Sequence, residues 1–237
     1  MRAFKSSVIA GVLAVFLLPG VVAAADAVRD PWEGLNRKTF AFNEFLDGNF
    51  LKPAAKGYQA ITPDAVDTGV TNFFSNLREV PSFVNHAVQA KPADAAADAG
   101  RFIVNTTLGL LGVFDVASKL GIEQKESDFG LTLGRWGLGS GPYVVLPFLG
   151  PSSVRDAVGQ AVDVVNYPVT YVSSEAELPL RALDIVDSRA GLLEAEKLIT
   201  GDRYTFLRNL YMQRRQFLLG GKVAEPSFED EFEDEEF

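Results

Sequence analysis

Apolar positions along this chain recur mostly with a helical period, interrupted at prolines and glycines. Val70, Phe73, Phe74 and Leu77 repeat at i, i+3, i+4 and i+7, which is one helix face, and Thr62-Pro63-Asp64 reads as its start. Upstream, Asp30 and Pro31 fit the N-cap and first residue of an earlier helix. That helix carries Trp32, Phe40, Phe42 and Phe45, an i,i+4 pair Glu33–Arg37, and Gly48 as its stop. Pro81 is expected to restart a short helix with Val84, Ala87 and Val88. Lys91-Pro92 opens the next. Its stripe Ala93, Ala96, Ala97, Gly100 either lets helix backbones approach closely, as in membrane bundles, or reflects helix propensity alone. This helix runs through Phe102, Ile103 and Val104 to Gly109 and Gly112. Ser152 or Ser153 caps a helix through Val165, Tyr167-Pro168 starts a short one, and Glu177 to Ile199 reads as a long amphipathic helix stopped at Gly201, with Glu177–Arg181 paired. Asp202 caps the last helix, in which Phe206, Leu207, Leu210, Tyr211 and Phe217 alternate with Arg203, Arg208, Arg214 and Arg215 before Gly220-Gly221. Only Val144–Leu146 suggests extended chain, so the fold class is mainly α.

One stretch breaks the pattern. Asp128 to Asp156 holds six glycines, three prolines and four aromatics, and Arg135 is the only charge between Phe129 and Val154. It reads as an apolar, irregular segment whose backbone must be covered by protein or line a cavity. Gly137-Leu138-Gly139-Ser140-Gly141 is not a phosphate loop, because no Lys-Ser/Thr follows it, and Ser140 does not sit in a G-x-S-x-G elbow.

Composition narrows the function. Arg2 and Lys5, the apolar run Val8–Leu18, the break at Pro19-Gly20 and the small residues from Ala23 describe a secretory signal peptide over residues 1–25, with cleavage after Ala25 or Ala27. No later segment reaches 18 apolar residues in a row, so no helix is expected to span a bilayer alone. The 237 residues contain no cysteine, which excludes thiolate chemistry and disulfides. The formal charge of −9 is concentrated in eight acidic residues from Glu225 onward. That places a disordered acidic tail over 222–237, either solvated or docking a basic partner, after a single domain over 26–221. A near-neutral body argues against nucleic-acid binding. His86 is the one histidine and reads as a polar helix-face residue, since a metal site needs partners it lacks. Asp115 and Asp128 flank apolar runs, with Arg101 and Arg135 as available partners. No carboxylate pair suggests acid–base catalysis. The chain is expected not to be an enzyme and to need no cofactor or metal.

Several ordered blocks resemble the MlaA/VacJ family of outer-membrane components of a phospholipid-asymmetry pathway. D-P-W-E-G-L-N-R from Asp30 to Arg37 is similar to the family's opening, followed by Phe42-Asn43, Leu46-Asp47 and Lys52-Pro53. Arg101-Phe102, Asn105-Thr106, Leu108-Gly109, Gly112 and Asp115 continue it. Phe129-Gly130, Thr132–Gly134, Trp136-Gly137, Gly139, Gly141–Tyr143, Leu146-Pro147, Gly150-Pro151 and Arg155-Asp156 complete it. The resemblance implies a ring-like arrangement of amphipathic helices in the inner leaflet of the outer membrane. Such a protein passes outer-leaflet phospholipid through a channel to a periplasmic shuttle protein and associates with a trimeric porin. The residues expected on the lipid path are Phe42, Asn43, Phe73, Phe74, Arg135, Trp136, Gly137, Gly139 and Tyr143. An alternative is an envelope adaptor that binds porins without moving lipid. Many family members are lipoproteins. This sequence has no cysteine to acylate, so the expectation is an exported outer-membrane protein held by its own apolar surface.

Overall fold

The computed structural model describes residues 30–220; the expected signal peptide and acidic tail lie outside the described residues. Helix α1 (Glu33–Leu46) passes through a π-helical turn (Asp47–Leu51) straight into α2 (Lys52–Ile61). Pro53 has no N–H to donate, and the ladder widens just ahead of it, with Lys52 N–H reaching back to the Asp47 carbonyl. Gly48 therefore does not end the first helix. Asp30 and Pro31 do not start it either. The helix begins at Glu33, because the Asp30 carboxylate is taken up by Tyr204 Oη, Asn36 Nδ2 and Arg208 and is not free to cap.

Helices α3 (Asp64–Val88) and α4 (Pro92–Thr107) form an antiparallel pair turned at Ala90, whose φ is +56°. Pro81 lies inside α3 and does not restart it. Glu79, Ser82, Asn85 and His86, on both sides of the proline, are all buried, and this packing carries the helix through the missing hydrogen bond. The short α5 (Val116–Lys119) is capped by Asp115. Asp128 caps α6 (Phe129–Arg135), and a hairpin of β1 (Tyr143–Leu146) and β2 (Gly150–Ser153) follows, with Tyr143 opposite Ser153 and Leu146 opposite Gly150. The stretch expected to be irregular is thus a helix and a hairpin; only its middle is loop. Ser153 caps α7 (Val154–Asn166), and a 3₁₀ turn (Pro168–Tyr171) leads to α8 (Ser174–Gly191). The single helix expected over 177–199 is broken. After α8 ends, a 3₁₀ turn (Ala195–Leu198) carries Glu196 so that its carboxylate meets the Arg189 guanidinium at 2.6 Å. Asp202 caps α9 (Arg203–Leu218), as the sequence suggests.

Helix α6 crosses α7 closely at Gly130 and Gly159. A Cβ on Gly159 would lie 2.7 Å from Gly130 Cα and nearer still to its nitrogen, so neither side tolerates a side chain there.

Water-facing and core-facing roles are inverted across much of this molecule. Among the described residues, twelve hydrophobic ones are buried, against sixteen polar or charged ones and thirty-one exposed large hydrophobics. Helix α4 shows it clearly. Its buried residues are Ala95, Asp98, Arg101 and Asn105, while Ile103 is exposed. Of the two readings of the Ala93, Ala96, Ala97, Gly100 stripe, helix propensity is the one the fold fits: Ala93 and Ala96 are exposed, Ala97 and Gly100 half-buried. The charges occupy the facing side because α3 supplies their partners. Two small apolar clusters complete the interior. One joins Ala55 of α2 to Ala190 and Leu193; the other joins Tyr143 and Val145 to Tyr204 of α9. Among the described residues no helix is long and apolar enough to cross a membrane.

Candidate functional site

Two displayed apolar surfaces stand out, each held by a buried polar network. The first is the loop after α4. Leu108, Leu110 and Leu111 are 68%, 66% and 67% exposed, and Phe114 follows them outward. Leu110 and Leu111 both have positive φ, +52° and +60°, a conformation that side chains rarely adopt. The loop is pinned from inside. Arg101 donates from Nε to Glu79 (2.6 Å) and from its terminal nitrogens to Asp115 (3.2 Å), Ser118 Oγ (2.9 Å) and the Ile122 carbonyl (2.5 Å). Asn105 donates to Asp115 (3.0 Å) and accepts from Ala117 N–H (2.8 Å). Burial pushes the Asp115 carboxyl up, but the hydrogen bonds from Ser118 and Asn105, with the Arg101 charge, outweigh it and hold Asp115 down at about 2. Glu79 goes the other way: burial dominates, and Arg101 offsets it only in part. The expected Arg101–Asp115 pair is present. Asp128 pairs with Arg215 and not with Arg135, which donates to the Leu218 carbonyl instead. The end of α9 lies across α6 there and supplies both partners.

The second surface is the hairpin tip, where Phe148 is 78% and Leu149 68% exposed. Two asparagines of α1 hold this hairpin. Asn36 donates to the Tyr143 carbonyl (3.0 Å) and accepts from Val145 N–H (3.0 Å). Asn43 donates to the Leu146 carbonyl (2.9 Å) and accepts from Phe148 N–H (2.9 Å). Seven residues of helix rise about 10.5 Å, and three residues of strand advance about 10 Å, so one face of α1 matches β1 and its turn. Each amide stands in for a neighbouring strand on the free edge of β1. Phe42 packs edge-on against Phe148, ring centroids 5.4 Å apart.

The nine residues expected on one path do not form one cluster. Phe42 and Asn43 meet the hairpin tip. Trp136 is exposed and stacks edge-on with Phe129; Arg135, the last residue of α6, and Gly137 and Gly139 on the loop after it are exposed too. Phe74 and Tyr143 have no accessible surface; the first packs against Phe73, the second lies among Tyr204 and Tyr211. His86 is not a surface residue. It is buried with its Nδ1 2.6 Å from Asp98, also buried.

Sequence reasoning missed most of the buried network: Glu79, Asp98, Asp156, Arg155 and Arg215. Asp156 accepts from Tyr211 (2.8 Å) and Arg215 (2.9 Å), tying α9 to α7. The signal available was the spacing of Asp98, Arg101 and Asn105, which puts all three on one face. No group of acidic or histidine side chains among the described residues is placed to hold a metal ion.

Comparison with known proteins places the chain in a family. The chain is 34% identical over 203 residues to the intermembrane phospholipid transport system lipoprotein MlaA of Escherichia coli, covering 83% of this chain and 81% of that one. The match to the protein of the same description in Haemophilus influenzae is 34% over 205 residues, covering 83% and 82%. A structure solved in work on the maintenance of bacterial outer membrane lipid asymmetry superposes with a TM-score of 0.71 at 34% identity, covering 80% of this chain and 98% of that one. The family described as MlaA lipoprotein matches residues 28–218. With nearly all of its described length matched, the chain belongs to the MlaA lipoprotein family.

Proposed function

We propose that this protein works in intermembrane phospholipid transport and so maintains the lipid asymmetry of the outer membrane. The observation that carries the reading is the inverted distribution of side chains: exposed Leu108, Leu110, Leu111, Phe114, Phe148 and Leu149 over a core of paired charges. In water such a surface is a liability; against lipid tails it is the favourable arrangement, and the polar groups then need internal partners. The amphipathic helices lie in one leaflet, with their apolar residues toward the lipid tails. These apolar loops hold the protein in the membrane.

Within that reading the amphipathic helices are arranged as a ring. Outer-leaflet phospholipid passes through it to a periplasmic shuttle protein, and a trimeric porin is the neighbour in the membrane. Phe42, Asn43, Phe73, Arg135, Trp136, Gly137 and Gly139 lie along the lipid path, and Phe74 and Tyr143 back its wall from inside. The process moves lipid without breaking bonds.

A deletion strain tests this. Phospholipid in the outer leaflet should rise and detergent resistance fall, and the wild-type chain should restore both. Leu110→Asp with Leu111→Asp should fail to restore them and should release the protein from the membrane fraction, since each aspartate at hydrocarbon depth costs about 2.5–3.5 kcal/mol. Unchanged surface phospholipid in the deletion strain refutes the proposal. A purified protein that holds porin but no lipid supports an adaptor role instead.

A further inference from the structure

A cavity of about 630 Å³ opens between the start of α4, the segment before α6, and the end of α9. Lys91, Lys125, Arg135, Arg214 and Arg215 line it. Three carboxylates line it too, and each is already engaged: Asp94 by Lys125 and Lys91, Glu126 by Arg214, Asp128 by Arg215. Asp94 is shared by two lysines, and Arg135 pairs with no carboxylate among the described residues. The cavity therefore has a surplus of positive charge. Its apolar lining comes from Leu131, Phe217 and Leu218.

Phe217 and Leu218 are also the last turn of α9, so the chain leaves the fold at the mouth of this cavity. From Glu225 to Phe237 the sequence reads E-P-S-F-E-D-E-F-E-D-E-E-F, with eight carboxylates, no base, and phenylalanines at 228, 232 and 237. Its chemistry mirrors the lining: acid against surplus cation, aromatic ring against apolar wall. It is near enough to fold back. The five residues from Gly220 to Ala224 span up to about 18 Å. A short tether sets an effective concentration in the millimolar range, so even weak pairing occupies the site.

We propose that this cavity is the docking site of the chain's own acidic tail. Docking is electrostatic at its rim, so it is released by salt and by any anionic ligand with a stronger hold on the same cations. The inference is independent of the lipid-transport reading.

The absence of cysteine makes the test direct. Spin labels on Glu123→Cys and Ser227→Cys in the purified full chain report the distance from tail to cavity rim. At low salt a short, narrow distance population is expected. It should be lost at 1 M salt, where screening acts over about 3 Å. It should also be lost when Glu229, Asp230, Glu231 and Glu233 are changed to Gln or Asn, and in Lys125→Glu with Arg214→Glu. A tail remote from the rim at every salt concentration overturns the proposal, as does a short distance indifferent to these changes. A short distance that disappears on dilution with unlabelled chain assigns the tail to a second copy and also overturns it.

Discussion

Replacing Arg101 by methionine removes the centre of the buried network while keeping most of its volume. Arg101 and Glu79 are 2% and 1% exposed at their side chains, and Glu79 Oε2 receives no hydrogen bond among the described residues. Arg101→Met therefore strands a buried carboxylate, and breaking such a pair from one side costs about 3–5 kcal/mol. For a chain of this size that is a fall in Tm on the order of 10 °C. Asp115 loses less, because Ser118 and Asn105 still hold it. Removing both charges, Glu79→Met with Arg101→Met, should recover most of the loss, since two apolar groups in place of a buried pair are often neutral. The pH dependence has a definite sign. Burial already raises the Glu79 carboxyl, and Arg101 is the main group lowering it. Without Arg101 it rises further. A carboxyl raised in the fold contributes stability that is present below its unfolded pKa, about 4.3, and is lost as pH rises through the folded value. The deficit of Arg101→Met should thus be smaller at pH 5 than at pH 8. Thermal unfolding in a mild detergent, followed by circular dichroism at both pH values, measures this. A single-variant loss below about 1 kcal/mol, or a double variant as unstable as the single, refutes the reasoning.

Two further substitutions contrast the α6–α7 junction with an open helix face. Gly159→Ala, whose Cβ would meet backbone of α6 on arrival, should lose about 1–3 kcal/mol, whereas Gly57→Ala in α2, with nothing within 4 Å, should gain about 0.5–1 kcal/mol; equal effects at the two sites would mean that α6 and α7 do not approach as described. Asp163 accepts from Phe129 N–H at 2.9 Å and from Asn85 at 3.1 Å, and burial pushes its carboxyl up to about 6. Its contribution is present below the unfolded pKa and lost as pH rises through 6, about 3 kcal/mol in all. The stability difference between wild type and Asp163→Asn should accordingly change between pH 4 and 7 and be flat on either side, and parallel profiles would rule this out.

Much of the helical plan was legible because its punctuation is local. Ser153 and Asp202 cap where the sequence places them, Pro63 and Pro92 begin helices, and Glu33–Arg37 and Glu177–Arg181 pair as spaced. The failures lie where a distant residue decided a local matter. Asp30 looks like a cap until Tyr204 and Arg208 arrive from the other end of the chain. Pro81 looks like a break until its flanking polar residues find buried partners. The helix after Ser174 ends early because Glu196 is drawn back to Arg189, Lys52 and Arg203. The hairpin was half visible: Val144–Leu146 has strand chemistry, but its partner Gly150–Ser153 does not, and its free edge is satisfied by asparagines on a helix.

The inside-out arrangement escaped for a different reason. A hydrophobic stripe at helical spacing says that two faces differ; it does not say which faces the interior. That choice depends on the solvent. In water the apolar face of α4 would turn inward, and Asp98, Arg101 and Asn105 would be left outside. Here they turn toward Glu79, His86 and Asp115, and Ile103 faces out. The sequence does hold a clue to the sense. Asp98 and Arg101 lie at i and i+3, Asn105 follows at i+4 from Arg101, and a solvated face has no need of an amide and two opposite charges in register with a glutamate and a histidine one turn-pair apart on the preceding helix. Matched polar residues on facing stripes of two consecutive helices imply a polar interface between them. With that face taken by polar pairs, Phe83 and Ile103 turn outward, while Phe74 packs inside against Phe73. The polar α3–α4 interface is thus legible from the pairing of their side chains, before any apolar loop is considered.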